Sequence, residues 1–222
     1  YSSIRPKRIV SSGERPINAL KEKGIEYVEV RCMDNNPFEP LGISAETSHF
    51  LEAYLMTCLA DENKFASKEE IVEIQTNWQN VVKDGRNPDL NILVNGKEIN
   101  IRDAANSVLE KIKIFNSSIT DKADNLKTNI TNSIALQEKK IENSDLTPSG
   151  KILKIIKDND RTWTDFNLEL YEEHKRYFSS LTKNLSYLEE EAKTSLVKFN
   201  ELEKEEEIPF ADFLKNYLNA LN

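Results

Sequence analysis

Gly24-Ile25-Glu26-Tyr27-Val28-Glu29-Val30-Arg31 is the stretch around which the 222-residue chain is organised. An extended strand sends alternate side chains to opposite faces, so Ile25, Tyr27, Glu29 and Arg31 share one face while Glu26, Val28 and Val30 share the other. At roughly 3.3 Å rise per residue, Glu29 and Arg31 stand about 7 Å apart. That spacing is too long for an ideal direct ion pair, but it suits two groups gripping one charged ligand, such as a metal with an anionic substrate. A surface strand with its charges on the solvated face is the other reading of the same pattern.

Composition narrows the partners. Lys and Arg number 30 against 38 Asp and Glu, and the net charge of -8 argues against a general nucleic-acid binder or a binder of anionic membranes. The opening segment runs against that balance, because Arg5, Lys7, Arg8 and Arg15 face only Glu14 among residues 1–16. Cys32, Cys58, His49 and His174 have no metal-ligand spacing, so neither a zinc site nor a Cys-His nucleophile is expected. No apolar run approaches the ~18 residues of a membrane span and no signal-peptide core is visible, which makes the cytoplasm the default compartment. The chain opens at Tyr1 without an initiating Met, and we read it as a fragment whose upstream half is the expected partner.

Taken in order, Ile4-Arg5-Pro6-Lys7-Arg8 should be extended, since the residue before proline is pushed out of the helical region. Ile17, Ala19 and Leu20 suggest a short helix closed by Gly24, and strand 25–31 follows. Asp34 to Pro40 cannot continue a strand. Beyond Gly42 the texture is helical: Ser44 caps a helix carrying Phe50, Leu51, Tyr54, Leu55 and Cys58, and Ser67 with Glu70 forms a capping box ahead of Ile71, Ile74 and Trp78, with a stop near Gly85. Cys58 and Trp78 are expected to pack in a core, and His49 to be partly exposed. Leu90, Ile92 and Val94 alternate into Asn95-Gly96, a type I′ turn, with Ile99 and Ile101 on the return. Further helices follow, one opened by Thr147-Pro148 and one bearing Trp163, Phe166, Tyr171, His174, Tyr177 and Phe178, read as a core face. Leu185 to Leu202 should continue the bundle, Glu201 to Glu207 is a solvated acidic end, and the amphipathic helix from Phe210 to Leu221 must dock.

Tyr1-Ser2-Ser3-Ile4-Arg5-Pro6-Lys7-Arg8, then Gly24 to Arg31, then Asp34-Asn35-Asn36-Pro37-Phe38 closely resemble the C-terminal part of proteobacterial glutamate–cysteine ligase. The likeness recurs at Trp78, Gly85-Arg86, Leu146 to Leu153 and Pro209-Phe210. It implies ATP-dependent joining of L-glutamate to L-cysteine through γ-glutamyl phosphate, the first step of glutathione synthesis, with bound Mg²⁺. The implied fold class is α+β and mostly helical: residues 1–41 supply the last strands and loops of a glutamine-synthetase-like antiparallel sheet, and residues 42–222 form an outer helical shell with a hairpin near 90–101.

By the same resemblance, Glu29 is a magnesium ligand, Arg31 the catalytic arginine beside the transferred phosphoryl group, and Tyr1 part of the cysteine pocket. Arg5 and Lys7 are nucleotide or phosphate contacts. The remaining magnesium ligands belong to the upstream half, so the chain alone should be inactive. Two other classes stay open: a noncatalytic helical interaction module, permitted by the apolar helix faces, and a basic-arm nucleic-acid binder, disfavoured by net charge and by the lack of interleaved aromatic residues.

Overall fold

The computed structural model describes all residues except 1–2, 12, 63, 120–123, 182–184, 205–207 and 220–222, together with the side chain at 124. The protein is mostly helical, with two small antiparallel sheets, and divides into two compact units: Tyr1–Asp34 with Ser179–Asn222, and Asn35–Phe178.

In the first unit, β1 (Ile4–Lys7) pairs antiparallel with β2 (Tyr27–Val30), with Arg5 opposite Glu29 and Lys7 opposite Tyr27. The ladder is shorter than the expected 25–31. Arg31 lies just past it, although its N–H still donates to the Ser3 carbonyl at 2.7 Å. Between the strands runs α1 (Pro16–Lys23), where Pro16 sits in the first turn and its missing N–H costs no helical bond. Gly24 ends the helix at φ 76°, a left-handed conformation that glycine adopts without a Cβ penalty. Arg8 Nη1 donates to the Lys23 carbonyl at 2.7 Å, placing a cation at the negative end of the helix. Glu14 takes a bond from the Ser11 N–H at 2.9 Å and pairs with Lys23 at 2.7 Å. Arg8 and Glu14 are thus spent on the connection between the strands.

The same unit contains α8 (Leu185–Leu202) and α9 (Phe210–Asn219), neither of which buries a residue fully. Leu188, Leu196 and Phe199 are exposed, and Phe210 is 74% exposed. The expectation that α8 continues a bundle is therefore not met among the described residues, whereas α9 does make one docking contact, with Arg15 lying 4.8 Å over the partly buried Tyr217 ring. The apolar period marks a face that gains from cover, but the period is blind to what supplies it. Part of the acidic run, residues 205–207, and Leu221 lie outside the described residues.

The second unit holds the core. The helices α2 (Ala45–Ala60), α4 (Ile101–Ser118) and α5 (Asp124–Glu142) bring Ala53, Leu109, Ile112, Ile130 and Ile134 together, with Phe50, Leu126 and Ile141 packed against them. Ser44 Oγ accepts the Thr47 N–H at the start of α2, and α3 (Lys68–Asp84) opens with the full Ser67–Glu70 capping box. The strands β3 (Asn91–Val94) and β4 (Lys97–Asn100) turn at Asn95 (φ 52°) and Gly96 (φ 74°), the two positive values that a type I′ turn requires. Asn77 fixes this hairpin to α3 by accepting the Leu93 N–H at 2.8 Å and donating to its carbonyl at 2.6 Å. Asn100 then caps α4, so Ile101 begins a helix instead of ending the return strand.

A 3₁₀ turn (Ser144–Leu146) leads into α6 (Pro148–Asp158), whose Thr147 cap and Pro148 occupy the expected positions, and α7 (Trp163–Ser180) follows. Three packing expectations are corrected here. Cys58 is exposed, Trp78 is 51% exposed, and of the aromatic face only Phe166 is buried, while Trp163 and Tyr171 are exposed. His49 is partly buried, 3.8 Å from Glu52. No helix among the described residues is long and apolar enough to cross a membrane.

A two-stranded ladder is marginal on its own in water, and the apolar side of this one is poorly covered: Ile4 and Val28 are 43% and 44% exposed. Backbone amides of β1 and β2 in the isolated chain should exchange with solvent well before those around Ile112 in α4. Equal protection of the two regions in a hydrogen-exchange time course would contradict this.

Candidate functional site

The site is a consequence of register. Directly opposed residues of an antiparallel pair point to the same face, so Arg5, Lys7, Tyr27 and Glu29 are set side by side, and Arg31 follows in the same phase. Ile4, Pro6, Val28 and Val30 take the other face. One carboxylate therefore stands among Arg5, Lys7 and Arg31, an excess of positive charge suited to an anion.

The carboxylate is held from both sides. Arg31 Nε donates to Glu29 Oε1 at 2.7 Å and its Nη2 to Oε2 at 3.1 Å, a two-pronged pair in which the planar fork matches the carboxylate. Lys7 Nζ lies 3.1 Å from Glu29 Oε2. This corrects the expectation that Glu29 and Arg31 are too far apart to pair. The 7 Å spacing describes their backbones, whereas a long guanidinium side chain can fold back along the strand and close that gap.

Arg31 first, and then Lys7, hold the Glu29 carboxyl below its usual range by hydrogen bonding to the charged form. The sign is that of a depressed acid: the pairing is intact above the normal carboxylate range and is lost as pH falls through the lowered value. Since these side chains keep about a third of their surface in water, the pairs position groups more than they stabilise the fold.

Tyr1 lies outside the described residues. Arg5, Lys7, Glu29 and Arg31, read from sequence as separate candidates, do share one face. What the sequence reading missed is the bridge from Lys7 to Glu29. Pairing segment 4–8 with 25–31 and counting register would have found it.

Among the described residues no group of three or more His, Cys, Asp or Glu could hold a metal. Glu29 nevertheless offers the hard oxygen that Mg²⁺ prefers, and Mg²⁺ is commonly bound by one or two carboxylates together with substrate phosphates. The face thus fits a phosphate-bearing ligand that shares a metal with Glu29, the other metal ligands coming from the phosphate, from water or from protein beyond these residues.

Residues 1–81 match the family model described as glutamate-cysteine ligase. The chain is 38% identical over 221 residues to the glutamate–cysteine ligase of Pseudomonas savastanoi pv. phaseolicola, covering 98% of this chain and 41% of that protein. The enzyme of that name from a Janthinobacterium species is 36% identical over 220 residues, with the same coverage. In three dimensions the chain is similar to the crystal structure of Francisella tularensis glutamate–cysteine ligase in complex with AMP, with a TM-score of 0.87 and 31% identity over 99% of this chain and 43% of that one. The chain thus spans about two fifths of the length of the relatives it matches.

Proposed function

We propose, for a chain that belongs with the glutamate–cysteine ligases in sequence and fold, that it is the C-terminal part of an ATP-dependent ligase forming γ-glutamylcysteine from L-glutamate and L-cysteine. The observation that carries this reading is the face on which Lys7 and Arg31 pair with Glu29 and Arg5 stands opposite it across the ladder, within the segment that the family model matches.

In the reaction, the γ-carboxylate of glutamate takes the terminal phosphoryl group of ATP and releases ADP. The cysteine amine then attacks the acyl carbon of γ-glutamyl phosphate, and phosphate leaves. Arg31 presents a rigid fork to the phosphoryl oxygens as charge spreads over them. Lys7 and Arg5 add positive charge on the same face and help to orient the phosphate chain. Glu29 holds Arg31 in its ligand-free position, and the guanidinium exchanges this carboxylate for phosphate when nucleotide binds. Glu29 would help to hold Mg²⁺, whose charge would offset that of the phosphates. Tyr1 is assigned to the cysteine pocket by family likeness alone.

Residues 1–41 would then complete a curved, glutamine-synthetase-like sheet, and residues 42–222 its helical shell. The rest of the enzyme would cover the bare side of β1–β2 and the exposed faces of α8 and α9. A reaction consuming ATP and a reduced thiol suits the cytoplasm.

This chain alone should form no γ-glutamylcysteine from glutamate, cysteine, ATP and Mg²⁺, while the same residues within the whole enzyme should support turnover. Product formation by the purified 222-residue chain at the rate of the whole enzyme would overturn the split-site reading.

A further inference from the structure

An open pocket of about 510 Å³ lies in the second unit between α2, the turn after α3, α4 and α5. Small-ligand pockets run from about 300 to 1,000 Å³, and this one lies within that range. The walls are mainly apolar, with Phe50, Leu51, Tyr54, Val108 and Ile141 among them. Among the described residues its charged lining is entirely positive: Arg86, Arg102 and Lys140, with no Asp or Glu. In a protein of net charge -8 that selection is unusual.

None of the three cations forms an ion pair with a described residue. Their own hydrogen bonds are long: Arg102 Nη2 to the Glu142 carbonyl at 3.4 Å and Lys140 Nζ to Gln137 Oε1 at 3.4 Å. Lys140 is partly buried, and burial, followed by repulsion from Lys151, lowers its pKa. Arg86 is exposed, but Arg102 and Lys140 are partly buried beside an apolar wall with no counter-charge among the described residues, an arrangement that an incoming anion would relieve. Leu109 and Ile141 line the cavity and also pack in the core, so its walls are built into the fold.

We propose that this cavity binds a small organic anion with an apolar body, its acid group held by Arg102 and Lys140 with Arg86 beside them and its chain lying against Phe50, Leu51 and Val108. The site is independent of the ligase reading, since none of its residues belongs to the β1–β2 face.

The test uses the whole protein and three probes sharing one chain: decanoate, decanol and decyltrimethylammonium, compared by titration calorimetry. Decanoate should bind at least about tenfold more tightly than decanol, as expected of a charge-assisted contact, and the ammonium probe should bind least. The double variant Arg102→Gln with Lys140→Gln should reduce decanoate to the affinity of decanol while leaving decanol unchanged. Val108→Trp, which fills the apolar part, should abolish binding of both. In the parent, the Lys140 pKa followed by NMR should rise on adding decanoate. Equal binding of the three probes, no binding, or an unaltered decanoate affinity in the folded double variant would overturn the proposal. Displacement of decanoate by AMP, itself weakened by the double variant, would overturn it in favour of a nucleotide site.

Discussion

Arg31→Lys in the complete enzyme should lower turnover on the order of 10² or more and leave the thermal melt almost unmoved. The substituted side chain keeps its positive charge but loses the fork that makes two bonds to Glu29 here, at 2.7 and 3.1 Å. In the proposed reaction that fork turns from Glu29 to the transferring phosphoryl group, where charge is most spread out in the transition state. A lysine can reach the site but cannot span two oxygens in one plane. Raising the Mg²⁺ concentration should not restore the rate, because metal does not replace a directed pair of donors. If the strand merely carried solvated charges, the same replacement would shift stability by no more than about 0.5 kcal/mol and turnover hardly at all.

Glu29→Gln should also slow turnover, but with a different dependence on metal. The amide keeps the volume and loses the charge shared by Lys7 and Arg31, so it should weaken the proposed magnesium ligand and release the guanidinium from its resting position. The first loss can be offset by mass action and the second cannot. We therefore expect the rate of Glu29→Gln to climb partway toward the parent value as Mg²⁺ is raised, and then to level off. In the ligand-free parent, Arg31 and then Lys7 keep the Glu29 carboxyl charged below the ordinary carboxylate range, so their pairing should persist as pH falls through that range and break only below it.

The parts of the molecule legible in the sequence were those set by local chemistry. Period-two alternation placed Tyr27, Glu29 and Arg31 on one face, and the caps at Ser44, Ser67 and Thr147 and the Asn95-Gly96 turn stand where side-chain chemistry put them. What depends on distant partners was not legible. Exposed Trp78, Cys58 and Trp163 were read as core because an apolar stripe states a preference for cover without naming its source. The Glu29–Arg31 pair was misjudged because backbone spacing ignores the reach of a side chain. Lys7 entered the cluster only through cross-strand register. The cationic cavity gathers residues from Phe50 to Thr147 across several elements, and no single window of sequence contains it. The roles given to Tyr1 and Arg5 derive from family likeness.

If Glu29 and Arg31 serve phosphoryl transfer from one strand face, their variants should respond differently to Mg²⁺. Initial rates of γ-glutamylcysteine formation against Mg²⁺ concentration, for the whole enzyme and its Glu29→Gln and Arg31→Lys variants with thermal melts alongside, test it most directly. The rate of Arg31→Lys should stay low at every Mg²⁺ concentration, that of Glu29→Gln should recover in part, and both melts should lie close to that of the parent. Parent-like rates in both variants would contradict this and remove this face from the active site.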